Sequence, residues 1–373
     1  MSFFINAKIN RGKKLHLMKN EEPLLVVRQL VKHFPLSRSL GDWLLRRPAR
    51  VVRAVDGVSF MLQRGEVLAV VGESGCGKTT LARTLIGLEE QTGGQILFEG
   101  YEVGAIERRT RAGLIPFESG SVGSREQQTL PRMTLKLLRQ QAQMIFQDPY
   151  ESLNPRATIL EIVSEPLVVH GIARQREERL ERVRIALEEA GLRPAQDFFY
   201  RFPHELSGGQ RQRVVIAAAM ILQPDLLIAD EPVSMLDVSI RAEILNLLRD
   251  LQRRRQVSIL FITHDLSTVA FFADRIAVMY LGRFVEIGKT EEVLNSPRHP
   301  YTQALLSVVP VPNPRLRQAR IILQGETPNP VQIPAGCRFH PRCQIAIAEC
   351  QLQDPPFVAV SASHQAACLR IEK

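Results

Sequence analysis

Apolar residues along this chain fall into short runs and helical stripes, and the two alternate. "LLVVRQLVKHF" (24–34) reads as a strand followed by a turn, and "GVSFML" (57–62) as the next strand. The basic stretch "GDWLLRRPARVVRAV" (41–55) stands between them as an insertion. "EVLAVV" (66–71) is an apolar run closed by glycine, which predicts a buried strand. "KTTLARTLIGL" (78–88) has helical apolar spacing, and "AQMIFQ" (142–147) returns to a strand. Two amphipathic helices are expected near 158–168 and 176–191; in the second, Leu180, Val183, Ala186 and Leu187 form one stripe opposite the charges. "PDLLIADEP" (224–232) and "VSILFITHD" (257–265) read as buried strands with a helix between them at 238–252. Strands alternating with helices predict an α/β core with a mainly parallel sheet.

Two regions break the pattern. Residues 101–138 are polar and rich in Gly, Ser and Arg, and read as a long surface insertion. From about 297, in "SPRHPYTQALLSVVPVPNP", proline becomes dense and the periodicity weakens. The expected division is an N-terminal extension (1–22), a core domain (23–297) and a C-terminal extension (298–373). Met18 offers a second plausible start, because "MKNEEPLLVVRQL" runs straight into the first strand.

Charge changes this picture little. The chain carries 48 Lys and Arg against 39 Asp and Glu, a formal +9. The arginine clusters fall on expected loops and helix ends without interleaved aromatics, so they read as solvated surface and no nucleic-acid partner is expected. No apolar run reaches the ~18 residues a membrane span needs. The first residues, "MSFFINAKINRGKK", hold no apolar core of signal-peptide length, and a cytosolic protein is expected.

The chemistry begins at Gly72-Glu-Ser-Gly-Cys-Gly-Lys78-Thr79, which fits G-x-x-x-x-G-K-[ST] between a strand and a helix. Such a loop turns backbone N–H groups around phosphate oxygens, and the following helix points its positive end at the same anion. Lys78 is expected on the β- and γ-phosphates and the Thr79 hydroxyl on Mg²⁺. The candidate phosphate-binding positions are Gly72, Ser74, Gly75, Cys76, Gly77, Lys78, Thr79 and Thr80. Cys76 is read as a small filler that lends its N–H, and not as a nucleophile. "LLIADE" (226–231) carries Asp230 to the end of a buried strand, where a carboxylate can hold Mg²⁺; Glu231 beside it can act as general base toward water. "LSGGQRQR" (206–213) is a serine–glycine turn opening a helix, a second anion-binding feature. Two such features in one chain suggest half-sites that meet between subunits.

The ordered series "GESGCGKTT", "FQDP", "LSGGQRQR", "LLIADEP", "LDVS" and "ITHD" resembles the ATP-binding subunit of ABC transporters, over roughly residues 24–310. The resemblance implies a P-loop ATPase core joined to an antiparallel β subdomain and an inserted helical subdomain (about 148–210). It implies ATP and Mg²⁺ as ligands and a head-to-tail dimer with ATP between the phosphate loop of one subunit and the signature turn of the other. Ser207, Gly208, Gly209 and Gln210 would meet the γ-phosphate across that dimer. Gln147 would meet Mg²⁺ and water, His264 the γ-phosphate, and Asp237 the dimer seam, where Met235 replaces the usual alanine. Phe34 is the expected adenine-stacking aromatic, with a core phenylalanine as the other reading. "MIFQDPYESLNPRATILEIVSEPL", "HPYTQALLSVVPVP" and "GCRFHPRC" resemble the oligopeptide and dipeptide importers, and their F-type more than their D-type subunits.

That family implies two membrane permease subunits, a second ATP-binding subunit (D-type-like, or a second copy), an extracytoplasmic peptide-binding protein, and a peripheral place on the cytoplasmic face of the membrane. Importers of nickel or glutathione are the near alternative. A repair or translation ATPase is a distant one, since 78–206 lacks a heptad run and the chain has one phosphate loop.

Four of the five cysteines cluster at the end, Cys337-x5-Cys343-x6-Cys350-x17-Cys368. Clustered thiolates in a reducing cell favour an iron–sulfur cluster or Zn²⁺, with His340 as a possible substitute ligand. Packed thiols in a small cap are the other reading. The resemblance to peptide-importer extensions favours a [4Fe–4S] cluster, with Zn²⁺ second. So small a tail is expected to use a metal in place of a core.

Overall fold

A computed structural model describes residues 22–36, 50–103, 131–309, 320–323 and 325–371. The alternative start, most of the 41–55 stretch and the middle of the 101–138 insertion lie outside these residues. In chain order the strands are β1 (Leu25–Pro35), β2 (Val51–Leu62), β3 (Val67–Val71), β4 (Gly93–Phe98), β5 (Tyr101–Val103), β6 (Arg132–Met133), β7 (Ala142–Ile145), β8 (Leu226–Asp230), β9 (Ser258–Thr263), β10 (Arg275–Tyr280), β11 (Arg283–Lys289), β12 (Val358–Ala359) and β13 (Gln365–Ala366).

They form two sheets. The larger has the order β12-β13-β11-β10-β3-β9-β8-β7, and β10, β3, β9, β8 and β7 run parallel. The smaller has the order β2-β1-β4-β5-β6, with β1 antiparallel to both β2 and β4. The architecture is therefore the expected α/β core with an antiparallel β subdomain. Both faces of β3 are covered: Val67, Ala69 and Val71 enter one hydrophobic cluster, and Leu68 and Val70 enter the other. β8 and β9 divide the same way, which is why all three read as continuous apolar runs instead of alternating ones.

Parallel pairing sets the register at the functional edge. Val71 lies opposite Thr263, and Asp230 opposite Ile262. The loops that leave β3, β8 and β9 thus emerge together from the carboxyl ends of adjacent strands, the usual ligand edge of such sheets.

The helical region packs beside this core. The helix Ile159–His170 starts on a Thr158/Glu161 capping box and ends at Gly171, whose φ of 70° suits glycine. The helix Arg176–Glu189 buries Val183, Ala186 and Leu187 as its stripe predicts. Both share one cluster with the helix Gly208–Met220.

The structure departs from the sequence reading in three places. β2 begins at Val51, inside the stretch read as insertion; Arg53 is on the exposed side, while Val55, Val58, Phe60 and Leu62 are buried. The 101–138 stretch contributes β5, β6 and the helix Leu135–Gln141 at its two ends. Strands β4, β10 and β11 had no clear signal, because β10 and β11 are buried on both faces and joined by a two-residue turn.

The C-terminal segment borrows its core from the main domain. Phe339 is 1% exposed and packs edge-on to Tyr280 (5.3 Å) and tilted to Tyr301 (5.4 Å). β13 extends the large sheet beyond β11, pairing Ala366 with Glu286. The fully buried Glu286 carboxylate accepts from the backbone of Arg298 (2.7 Å) and His299 (2.9 Å) and bonds His364 (2.7 Å). Buried carboxylates persist only when satisfied in this way. The tail is therefore held by aromatic packing, strand addition and buried polar bonds, a core shared with the main domain that the sequence reading did not anticipate.

His299 is buried, and burial pushes its imidazole down to about 3. Its Nδ1 accepts the Tyr301 N–H at 3.1 Å, which a neutral ring allows. The folded pKa lies below the ordinary 6.5, so only the unfolded chain takes up this proton as pH falls through 6.5 toward 3. This residue alone is expected to remove about 1.4 kcal/mol of stability per pH unit in that window. Denaturant unfolding at pH 7 and pH 5 measures the loss. His299→Asn, which can accept the same N–H, is expected to flatten the slope.

Candidate active site

Two glycines let the loop after β3 lie against the sheet. A Cβ on Gly77 would stand 2.0 Å from the Ala54 carbonyl oxygen, and its φ is 111°. A Cβ on Gly72 would stand 2.2 Å from the Met279 carbonyl oxygen. Neither obstacle is a flexible side chain, so only glycine fits either position. Ser74 and Gly75 form the exposed lip, while Cys76 is 2% exposed. Burial pushes the Cys76 thiol up, consistent with a filler and not a nucleophile. Lys78 opens the helix Lys78–Leu85, and Thr79 and Thr80 occupy its first turn. Lys78 is 5% exposed, and its ammonium donates to the carbonyl oxygens of Gly72 (2.8 Å) and Glu73 (3.0 Å).

Asp230, at the end of β8, is 2% exposed, and its Oδ1 has no hydrogen-bond partner. Burial is the largest influence on this carboxyl; the Thr79 hydroxyl bond opposes it and the neighbouring Glu231 charge reinforces it, leaving the pKa raised. An orphaned buried carboxylate oxygen beside a threonine hydroxyl is an oxygen donor set that fits Mg²⁺, whose charge reverses that balance.

Glu231 has a positive φ of 46°. Its N–H donates to Ile262 O at 2.9 Å, and its carbonyl accepts from Ser234 Oγ at 3.0 Å. Such strain in a non-glycine residue is tolerated where surrounding bonds over-determine it. The carboxylate is gripped at both oxygens: Gln147 Nε2 donates to Oε2 at 3.1 Å, and His264 Nδ1 meets Oε1 at 3.1 Å. The His264 side chain is 59% exposed, so one end holds Glu231 while the ring stays open to solvent. Gln147, Asp230, Glu231 and His264, read from three separate motifs, thus meet at one edge.

The signature segment stands as its own unit. Ser207 caps the helix Gly208–Met220: its Oγ accepts from the Gln210 N–H (3.3 Å), and the Gln210 side chain accepts from the Ser207 N–H (3.0 Å). Gly209 approaches Ile240 so closely that a Cβ would stand 2.9 Å from its Cγ2. Asp237 precedes the helix Val238–Arg255 and makes no side-chain cap bond. Met235 is 60% exposed and Val238 80% exposed beside it. Phe34 lies outside the core near the end of β1, half-buried, with the Lys32 ammonium 4.5 Å from its ring centroid.

The four C-terminal cysteines are unpaired thiols. Burial pushes Cys337 up to about 11 and also raises Cys343 and Cys368, and proximity of the thiols adds to each shift. The Arg370 N–H donates to Cys368 Sγ at 3.5 Å, and the backbone amides of Phe339 and Ile345 oppose the upward push on Cys337 and Cys343. His340 Nδ1 is engaged with the Cys337 carbonyl at 2.8 Å. Among the described residues no three Cys, His, Asp or Glu side chains converge as metal ligands. The thiols are neighbours that do not converge as a ligand set.

One set of contacts had no counterpart in the motif reading. Glu73, inside the phosphate loop, is held by Tyr301, Thr327 and Arg342 of the C-terminal segment. Tyr301 and Arg342 stand in "HPY" and "HPRC", which the sequence offered only as marks of resemblance.

Known proteins resemble this chain along nearly its whole length. The family described as "ABC transporter" matches residues 55–234, and "Oligopeptide/dipeptide transporter, C-terminal region" matches 285–350. The chain is 45% identical over 352 residues to the "Oligopeptide transport ATP-binding protein AppF" of Bacillus subtilis (strain 168), covering 94% of this chain and 98% of that one. It is 43% identical to the "Dipeptide transport ATP-binding protein DppF" of Haemophilus influenzae, covering 95% and 99%. Among solved structures it resembles cbiO1 of Clostridium perfringens, part of the ABC transporter complex cbiONQ, at TM-score 0.56 and 28% identity over 74% of this chain and 92% of that one. It also resembles the dimeric ATP-binding cassette MJ0796 bound to ADP and Pi, at TM-score 0.55 and 25% identity over 71% and 98%. Phosphate loop, carboxylate edge and signature helix on this fold define the ATPase subunit of an ABC transporter. Within that class, the chain belongs to the ATP-binding proteins of the oligopeptide/dipeptide transporter family.

No helix among the described residues is long and apolar enough to cross a membrane.

Proposed function

We propose that this subunit drives peptide import by hydrolysing ATP as one half of a head-to-tail nucleotide sandwich on the cytoplasmic face of the membrane. Its partners are two membrane permease subunits, a second ATP-binding subunit (D-type or another copy) and an extracytoplasmic peptide-binding protein. The names of the relatives support the cargo class. The observation that carries the catalytic reading is the Glu231 carboxylate, fixed between Gln147 and His264 beside the orphaned oxygen of Asp230.

The loop amides from Ser74 to Thr80 cradle the phosphates, and the Lys78 ammonium moves from its resting carbonyls to the β- and γ-phosphates. Thr79, Gln147 and Asp230 would hold Mg²⁺, which supplies positive charge to the phosphate oxygens. Glu231 accepts a proton from the water that attacks the γ-phosphorus as the bond to ADP breaks. Gln147 and His264 aim this base, and the exposed face of His264 meets the γ-phosphate. Phe34 stacks on adenine. Ser207, Gly208, Gly209 and Gln210 of the opposing subunit complete the site at the γ-phosphate, with Asp237 at the seam. ATP bound to both halves favours the closed pair, and hydrolysis releases it, which is the work passed to the permease.

The C-terminal thiols are read separately, as a site for a [4Fe–4S] cluster with Zn²⁺ as the alternative. The supports are the grouping of four thiols and the Arg370 N–H that donates to Cys368 Sγ at 3.5 Å. Loading would require those side chains to converge, and no step of hydrolysis runs through them. Anaerobic purification is expected to give a brown protein with iron and acid-labile sulfide. A colourless, iron-free protein contradicts the cluster, and zinc in its place selects the alternative.

Glu231→Gln keeps the shape and the Gln147 contact but cannot take a proton. Turnover in the assembled transporter is expected to fall by about 10²–10⁴-fold, the range of a lost general base. MgATP binding is retained. Near-normal turnover removes Glu231 from the base role.

A further inference from the structure

The phosphate loop is anchored from outside its own domain core. Glu73 follows the first loop glycine, and both its main chain and its side chain are held by residues more than 220 positions further on. The Tyr301 hydroxyl accepts the Glu73 N–H at 2.9 Å. Arg342 grips the carboxylate with two parallel bonds, Nη1 to Oε2 at 2.9 Å and Nη2 to Oε1 at 3.1 Å. Thr327 Oγ1 donates to the same Oε2 at 2.6 Å. Arg342 is 8% exposed, and its guanidinium lies 6.0 Å from the centroid of the Tyr280 ring.

We propose that Arg342 is a positioning residue for ATP binding, fixing the phosphate loop through Glu73 and so making the C-terminal segment part of the nucleotide site's framework. The proposal rests on the reading of Gly72–Thr80 as the phosphate cradle.

The geometry distinguishes this contact from an ordinary surface ion pair. Exposed pairs contribute little. This one is a bidentate fork with a largely buried arginine, the arrangement that fixes orientation as well as charge. It also acts on a particular point of the loop. The resting Lys78 ammonium donates to the carbonyl oxygens of Gly72 and Glu73, one in the peptide unit that carries the Glu73 N–H and one in the unit that follows it. When Lys78 leaves for a phosphate, those internal bonds are lost, and the fork, the Thr327 and Tyr301 hydroxyls and the Cys76 N–H on the Glu73 carbonyl (3.3 Å) still hold Glu73 in register. The next turn begins at Ser74 and Gly75, which are exposed.

Arg342 is itself fixed by its surroundings. It closes the short turn His340–Arg342 between Cys337 and Cys343, and its N–H donates to the Phe339 carbonyl at 3.0 Å. Phe339 is the aromatic that buries the tail against Tyr280 and Tyr301, so the fork is tied to that contact.

The test uses the full-length chain with a fluorescent ATP analogue and Mg²⁺, together with KM and kcat for ATP in the assembled transporter. Arg342→Gln and Glu73→Gln are each expected to weaken binding by about tenfold, as for truncation of a charge-assisted pair, with KM rising more than kcat falls. The double variant is expected to be no worse than the weaker-binding single, because both remove one coupled contact. Arg342→Lys keeps the charge without the fork and is expected to recover only part of the affinity. Unchanged affinity in Arg342→Gln overturns the proposal, as do single effects that multiply in the double variant. Lys78→Ala in the same assay marks the site itself. Lost binding there beside normal binding in Arg342→Gln overturns Arg342 alone; normal binding in Lys78→Ala overturns the nucleotide site and the Arg342 assignment with it. If Arg342→Gln does not fold, Thr327→Val decides: weakened MgATP binding at an unchanged melting temperature supports the proposal, and wild-type affinity overturns it.

Discussion

The loop between β3 and the helix Lys78–Leu85 has to present its amides to an anion before any anion arrives, and the surrounding structure meets that constraint. From the sheet side, the carbonyls of Ala54 and Met279 press so close to Gly77 and Gly72 that no side chain fits. Ala54 belongs to the antiparallel subdomain and Met279 to the parallel sheet, so both sheets shape one loop. From the other side, the C-terminal segment holds Glu73 through Tyr301, Thr327 and Arg342. Preorganised donors of this kind need little rearrangement when charge must be stabilised, which is where much catalytic power resides.

The carboxylate edge follows from sheet topology. Parallel strands β3, β9 and β8 end side by side, so motifs far apart in sequence share one rim. Burial keeps Asp230 short of partners, while Glu231 is over-supplied with them by its own strained turn, by Gln147 and by His264. Two adjacent carboxylates thereby acquire different environments, the difference on which the proposed cation-holding and base roles rest. The signature helix, capped within itself by Ser207 and Gln210, bonds to none of these groups among the described residues, in keeping with a half-site that completes a second subunit.

Much of this was legible in the sequence because its signals are local. The phosphate loop, the apolar run into Asp230 and the serine–glycine helix start each fit within a dozen residues, and their order identified the family. Less legible were features set by distant contacts. β2 was obscured because Arg53 and its neighbours read as a basic insertion, although its other face is buried. β10 and β11 lack alternation because they lie inside the sheet. The Glu73 clamp joins residues 228, 254 and 269 positions apart, a separation no local pattern encodes. The cysteines showed the reverse problem. Their spacing drew attention to metal, while the residues that dock the tail are Phe339, Arg342 and His364, lying among them.

The central claim is that one bound ATP is enclosed by the phosphate loop of one subunit and the signature turn of another. Backbone amide hydrogen exchange of the assembled transporter carrying Glu231→Gln, with and without MgATP, tests it directly. The account predicts slowed exchange at Gly75–Thr79 and, together with it, at Ser207–Gln210. Unchanged exchange at both segments, or protection of the loop with none at the signature turn, would contradict it.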